Sequence, residues 1–245
     1  MSIAGVIARM QERLDGLPAG YEQQRVFLAT YQRITRAVGD AIEEGLFEDP
    51  AWVEHWDVVF ADLYLNALDA QLYGEATHQA PRPWRLAFTA PAELPPLRHV
   101  LLGINAHINY DLPQALLEVI SDADFTEPEL VERRRRDHER IDIVLSGRVS
   151  AEDQELGGRR SVLDRALTPV NRLASRRLLR EARQKVWHNT MELQAARLVG
   201  PTTYGERLAE LEVLSAAKIA DLLAPGQVLL RLAVGGFGVS LPPPG

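Results

Sequence analysis

Apolar residues recur along this chain at intervals of three and four, the spacing that lines one face of an α-helix, and no stretch alternates as a half-buried strand does. Ile3, Val6, Ile7, Met10 and Leu14 make such a face before Gly16-Leu-Pro-Ala-Gly20 breaks it. Phe27, Leu28, Tyr31, Ile34, Val38, Ala41 and Ile42 then predict a long helix over 21–46. Glu48-Asp49-Pro50 is a turn and start signal. It predicts a third helix over 51–73 that turns Val58, Ala61, Leu65, Leu68 and Leu72 inward.

Residues 78–84 (His-Gln-Ala-Pro-Arg-Pro-Trp) read as an extended, proline-stiffened crossover, with Trp84 plugging a gap over the bundle. Pro91 and Pro95-Pro96 launch a helix over 97–111, and Leu112-Pro113 begins a short one through Ile120. Thr126-Glu-Pro-Glu129 combines a capping side chain, a first-turn proline and acids near the positive helix end. The helix it opens is expected to reach Ser146. A polar, glycine-containing loop over 147–171, a candidate lid, separates it from a long helix over 172–199. The last helices are expected over 204–223, and a poorly ordered tail over 236–245. The pattern predicts an all-α fold, a multi-helix bundle forming a single domain over 1–235.

Composition narrows the chemistry. With 245 residues and 46% apolar content the chain can bury a large core. It has no cysteine, so thiolate metal sites are excluded, and a metal would need His, carboxylate, amide or water. The N-terminal stretch reads as an amphipathic helix rather than a signal peptide, and no apolar run reaches the ~18 residues of a membrane span. A cytoplasmic location is the expectation. The net charge of −7 disfavours nucleic acid as a partner. The charge is uneven, however: residues 132–185 hold 15 of the 27 Lys and Arg against 9 acids. A basic middle can attract an anionic molecule, although solvated helix faces with local ion pairs are the plainer reading. Oligomeric state is left open.

Three helices carry a His followed four residues later by a carboxylate: His107/Asp111, His138/Asp142 and His188/Glu192. Positions i and i+4 share a helix face, so each pair can present two ligands together. Helical phase separates them. His107 and Asp111 look past Gly103 and Ala106, whose small size leaves room for an ion or ligand. On the helix after Pro128, Asp137 lies in the middle of the apolar face with His138 on its flank, and Asp142 sits at the edge. Asn189 lies near the centre of the core face of the 172–199 helix, while His188 and Glu192 flank it. His55 and Asp62 are out of phase with their stripe.

The expected site is therefore a metal centre of His107, Asp111, Asp137 and His138, holding a divalent ion (zinc, iron or manganese) in a metal-dependent hydrolase acting on a small molecule. Asn105, Asn189 and Trp84 would orient substrate, Tyr110 would donate a proton, and Arg159 and Arg160 would meet an anionic group. The alternative is a non-metal small-molecule binder or acid–base protein in which His107 and Asp111 work as a pair between Trp84, Tyr31 and Tyr64. A second alternative is a structural or interaction protein whose buried polar network confers specificity. No GxSxG elbow, Walker loop, GxGxxG or HExxH occurs.

The string Gly103-Ile-Asn-Ala-His-Ile-Asn-Tyr-Asp-Leu112 resembles the hallmark of a bacterial and fungal family of uncharacterised helical proteins, a domain of unknown function. Phe27-x3-Tyr31, Phe60-Ala61-x2-Tyr64, Trp84, Asp137 and Trp187 extend the resemblance over 25–235. It implies a helical fold and a place for the pocket, and no particular reaction. A looser similarity links the His-x3-Asp and His-x3-Glu pairs to helical zinc-dependent phospholipase C and single-strand nucleases. The N-terminal tryptophan ligand and fuller histidine set of that group are missing here.

Overall fold

The computed structural model describes residues 2–74, 79–155, 162–226, 231–232 and 235–244, with backbone alone at 96–97, 146–155 and 162–179. The described residues form an all-α fold without strands. Helix α1 (Ile3–Gly16) starts where Ser2 accepts a hydrogen bond from the Gly5 amide, and it buries the expected stripe of Ile3, Val6, Met10 and Leu14. Helix α2 (Glu22–Glu43) ends at a turn through Gly45, whose φ of 74° suits a residue without a Cβ. Asp49 caps α3 (Pro50–Tyr73) by accepting from the Trp52 amide, with Pro50 at the first helical position. These three helices pack on one another, and α2 and α3 carry most of the aromatic core.

The crossover turns helical from Arg82, while residues 79–81 form no regular element. Pro81 and Pro83 sit at the start of a short helix, α4 (Arg82–Phe88), where a missing N–H costs nothing, and this helix buries Trp84 completely. Next, α5 (Pro96–Ala106), a π-turn (His107–Asp111) and α6 (Leu112–Val119) run as one continuous helical rod instead of two helices. Pro113 accounts for the irregularity. A proline inside a helix removes one amide donor and crowds the preceding turn, and widening that turn relieves both. The Leu112 amide reaches back five residues to the His107 carbonyl, and the Gln114 side-chain amide donates to the Tyr110 carbonyl at 2.7 Å. The rod packs against α2 through α5 and against α3 and α8 through α6.

Helix α7 (Pro128–Glu155) and α8 (Val162–Val199) both extend into the stretch expected to be a polar loop. Residues 147–155 and 162–171 are helical, and 156–161, with Arg159 and Arg160, lie outside the described residues. Part of the basic middle is spent on the α2–α3 turn: Arg134 pairs with Asp49, and Arg136 and Arg140 with Glu48. Those two guanidiniums pull the Glu48 carboxyl down to about 2. Helix α9 (Pro201–Leu223) packs on α8 and α4 after a break at Gly200. No helix among the described residues is long and apolar enough to cross a membrane.

The loose tail expected over 236–245 is replaced, through residue 244, by an extended strap lying along the rod and α8, with Phe237 and Leu241 buried. This segment is held chiefly through its backbone, which the hydrophobicity of its side chains does not report.

Candidate functional site

The π-turn exposes two chemically distinct faces. His107 and Asp111 point toward α2, α3 and α4, and Asn109 points toward the strap and α8. The His107 Nδ1 lies 2.8 Å from Asp111 Oδ2, and the same oxygen accepts the Trp84 indole N–H at 2.8 Å. An oxygen already accepting one donor acts as a carboxylate acceptor for the second, which places the imidazole proton on Nδ1. Both side chains are buried, with His107 3% and Asp111 2% exposed. Burial lowers the His107 pKa and raises that of Asp111, while their mutual hydrogen bond opposes both shifts.

Around the imidazole stands a cage of five rings. Phe60 stacks on it face to face, with centroids 3.5 Å apart and planes 5° from parallel. Tyr31 meets it edge-on at 4.7 Å, and Tyr64, Trp84 and Phe27 stand at 6.0, 5.8 and 6.5 Å. Phe27/Tyr31 and Phe60/Tyr64 thus converge on one histidine from two helices, as i, i+4 spacing on facing helices permits. Of the five rings, only Phe60 is part-exposed; the others are buried. The room expected beside Gly103 is filled: a Cβ there would come within 2.4 Å of the Phe27 ring. A narrow cleft lined by Gln24, Phe27, Trp84, Phe88, His99 and Gly103 reaches the outer side of the cage.

Three polar atoms of this cage, His107 Nε2 and the Tyr31 and Tyr64 hydroxyls, are buried with no hydrogen-bond partner among the described residues. Asp57 on α3, whose charge acts on Tyr31, also leaves Oδ2 without a partner, and burial pushes its carboxyl up to about 7. Burial likewise raises both phenols, so they remain protonated donors near neutrality. Sequence reasoning missed Asp57 because it lies among apolar neighbours without a recognisable partner spacing, and missed Phe60 as the ring that covers the imidazole.

The other expected metal ligands are not brought to this pair. Asp137 Oδ1 and Oδ2 accept the Glu48 and Asp49 amides, each at 2.8 Å, and Arg140 adds a third bond at 3.0 Å. It caps the α2–α3 turn. His138 lies between Trp56 and Trp187, with ring centroids 5.5 and 5.7 Å away. Among the described residues, no group of three or more His, Asp and Glu side chains converges as a metal site. Tyr110 packs with Leu117, Leu193, Leu211 and Leu241, away from the imidazole. Asn189 spends both amide atoms on the strap, Asn105 donates to it through Nδ2 while its Oδ1 is buried without a partner among the described residues, His188 bonds the Leu241 carbonyl, and Glu192 pairs with Arg207. Asp142 pairs with Arg183 and Asp62 with Arg9, while His55 is exposed. Arg159 and Arg160 cannot be placed relative to the cage, since both lie outside the described residues.

The model of a family of unknown function, DUF5995, matches residues 3–225, which include every helix that builds the cage. The chain belongs to that family. No curated protein and no solved structure matches it. Membership in DUF5995 carries no activity with it, so a functional reading rests on the cage itself.

Proposed function

We propose that the chain binds a small polar molecule against His107 and that the His107–Asp111 pair acts on it as an acid–base group. One observation carries this reading: an imidazole whose Nδ1 is oriented by a carboxylate and whose Nε2 is buried without a partner. Asp111 holds the proton on Nδ1 and would stabilise an imidazolium formed at Nε2, while burial keeps the resting ring neutral. The Tyr31 and Tyr64 hydroxyls supply two donors for an acceptor atom of the same molecule. Desolvated polar groups left unmatched are costly, and here three of them gather around one imidazole, where a single bound molecule could satisfy them together. The π-turn supports the reading, since single π-turns inside α-helices recur at functional sites. Entry requires Phe60, stacked between the imidazole and solvent, to rotate away.

The test is a thermal-shift screen of small acids, alcohols, carbonyl compounds and zinc, manganese and iron salts, run on wild type and on His107→Gln. A compound that raises Tm of the wild type, and fails on a folded His107→Gln, supports the site. Phe60→Ala should accelerate that compound's association. Absence of any wild-type hit, together with a His107→Phe variant as stable as wild type, would show the cluster to be packing alone.

A further inference from the structure

The strap is read by side chains as a β-strand is read by its neighbour. From Phe237 to Leu241, every backbone N–H and C=O except those of Ser240 is bonded to a side chain of the helices. Two asparagines take half of these groups. Asn109 donates to the Phe237 carbonyl at 3.1 Å and accepts from the Val239 amide at 3.1 Å. Asn189, from the opposite wall, donates to the Val239 carbonyl at 3.0 Å and accepts from the Leu241 amide at 2.8 Å. Each amide therefore spans residues two apart, the repeat of an extended chain, and the two are themselves offset by two residues. Glu181, Lys185 and His188 take the remaining groups, and Asn105 shares the Phe237 carbonyl with Asn109.

Sequence selectivity comes with the backbone reading. Phe237 and Leu241, four apart and so on one side of the strand, are 5% and 2% exposed. A Cβ at Gly238 would lie 2.9 Å from the Ala182 Cα, and Gly236 has a φ of 69°. The fitting pattern is Gly-Phe-Gly-x-x-Leu with no charge, and none of these contacts depends on how the strap is joined to the helices.

We propose that the groove between the rod and α8 is a recognition site for an extended peptide of this pattern, and that its occupant in trans is the same segment of a second copy of this chain. Backbone reading by groove side chains is the physics of strand addition, and exchange of an identical element between copies preserves every contact. In cis the strap competes at the high effective concentration of a tethered ligand, which hides the site from an added peptide.

The experiment uses two full-length variants checked for helical content by circular dichroism. Gly238→Val cannot seat its own strap and frees the groove; Asn109→Ala/Asn189→Ala disables the groove and frees the strap. A labelled peptide of residues 235–244 should bind Gly238→Val at least tenfold more tightly than wild type, and should lose that binding when both asparagines are also replaced. Mixing the two variants should give a 1:1 complex in sedimentation, with each alone remaining unpaired. Should Gly238→Val fail to fold, Phe237→Ala, which weakens the strap's anchor without a clash, takes its place in both measurements. No peptide binding to the folded variant overturns the recognition site, and peptide binding without a 1:1 complex overturns the second copy as its occupant.

Discussion

The two faces of the π-turn hold polar groups of similar burial in opposite states. On the strap side, Asn109 has both amide atoms engaged, and the fully buried Asn189 matches it from α8. On the cage side, His107 is engaged through Nδ1 only, and Tyr31, Tyr64 and Asp57 each carry an unpartnered atom. Matched buried polar groups fix a structure, and unmatched ones leave donors and acceptors open to a further partner. Five successive residues of one helix thus present a face fully matched to the strap and a face on which a polar atom of His107 is left unpartnered.

The largest effect should come from removing the atom on which the cage's matched bonds meet. Asp111→Ala deletes the acceptor for both His107 Nδ1 and Trp84 Nε1, leaving two buried donors orphaned. Each orphaned neutral donor costs about 1–3 kcal/mol, so the loss should be about 2–6 kcal/mol, measured as the shift in urea unfolding free energy. A loss under about 1 kcal/mol, the range of exposed pairs, would contradict the buried geometry.

Asp57 gives the cage a pH signature of its own. Its folded pKa is raised by burial to about 7, so between the unfolded carboxyl range and pH 7 the folded state holds the proton more tightly. This group's contribution to stability therefore falls as pH rises from about 4 to 7 and is flat above, by at most about 4 kcal/mol. Asp57→Asn should remove that slope. Its stability relative to wild type should grow from pH 4 to pH 8, and the slope, unlike the level, is insensitive to any constant cost of the new amide. Parallel curves for the two proteins would place Asp57 in a solvated setting.

On the strap side, Asn189→Ala leaves the Val239 carbonyl and Leu241 amide without partners. The expected loss is about 1–3 kcal/mol, with faster hydrogen exchange at Leu241 and unchanged exchange in α2 and α3. Exchange that accelerates throughout the core would mean that the strap is not a separable element.

The contrast explains what could be read beforehand. Helices α1 to α3 follow from the three-and-four spacing of Val6, Met10, Phe27, Tyr31, Leu65 and Leu68, all buried in one core. His107 and Asp111 were legible as a pair because i, i+4 geometry is local. Asp137 looked like an inward ligand because phase reports which way a side chain points, and not that the Glu48 and Asp49 amides meet it there. The strap was illegible for a related reason: its glycines and prolines announce no element, and its partners lie some 50 to 130 residues away in sequence. Non-local backbone matching leaves little trace in local periodicity.

The smallest effect carries the sharpest sign. Tyr31→Phe and Tyr64→Phe each remove a hydroxyl that is buried without a partner, while keeping the ring that packs around His107. A buried hydroxyl hydrogen-bonded within the protein contributes stability, so its loss would lower the unfolding free energy by about 1 kcal/mol. An unmatched one costs desolvation instead, and its removal should leave stability unchanged or raise it by up to about 1 kcal/mol. If the cage is a binding site, the same substitutions should weaken whatever compound protects the wild type against heating. Stability gained together with binding lost identifies hydroxyls kept for a ligand, whereas stability lost in both variants would make the cage face as architectural as the strap face.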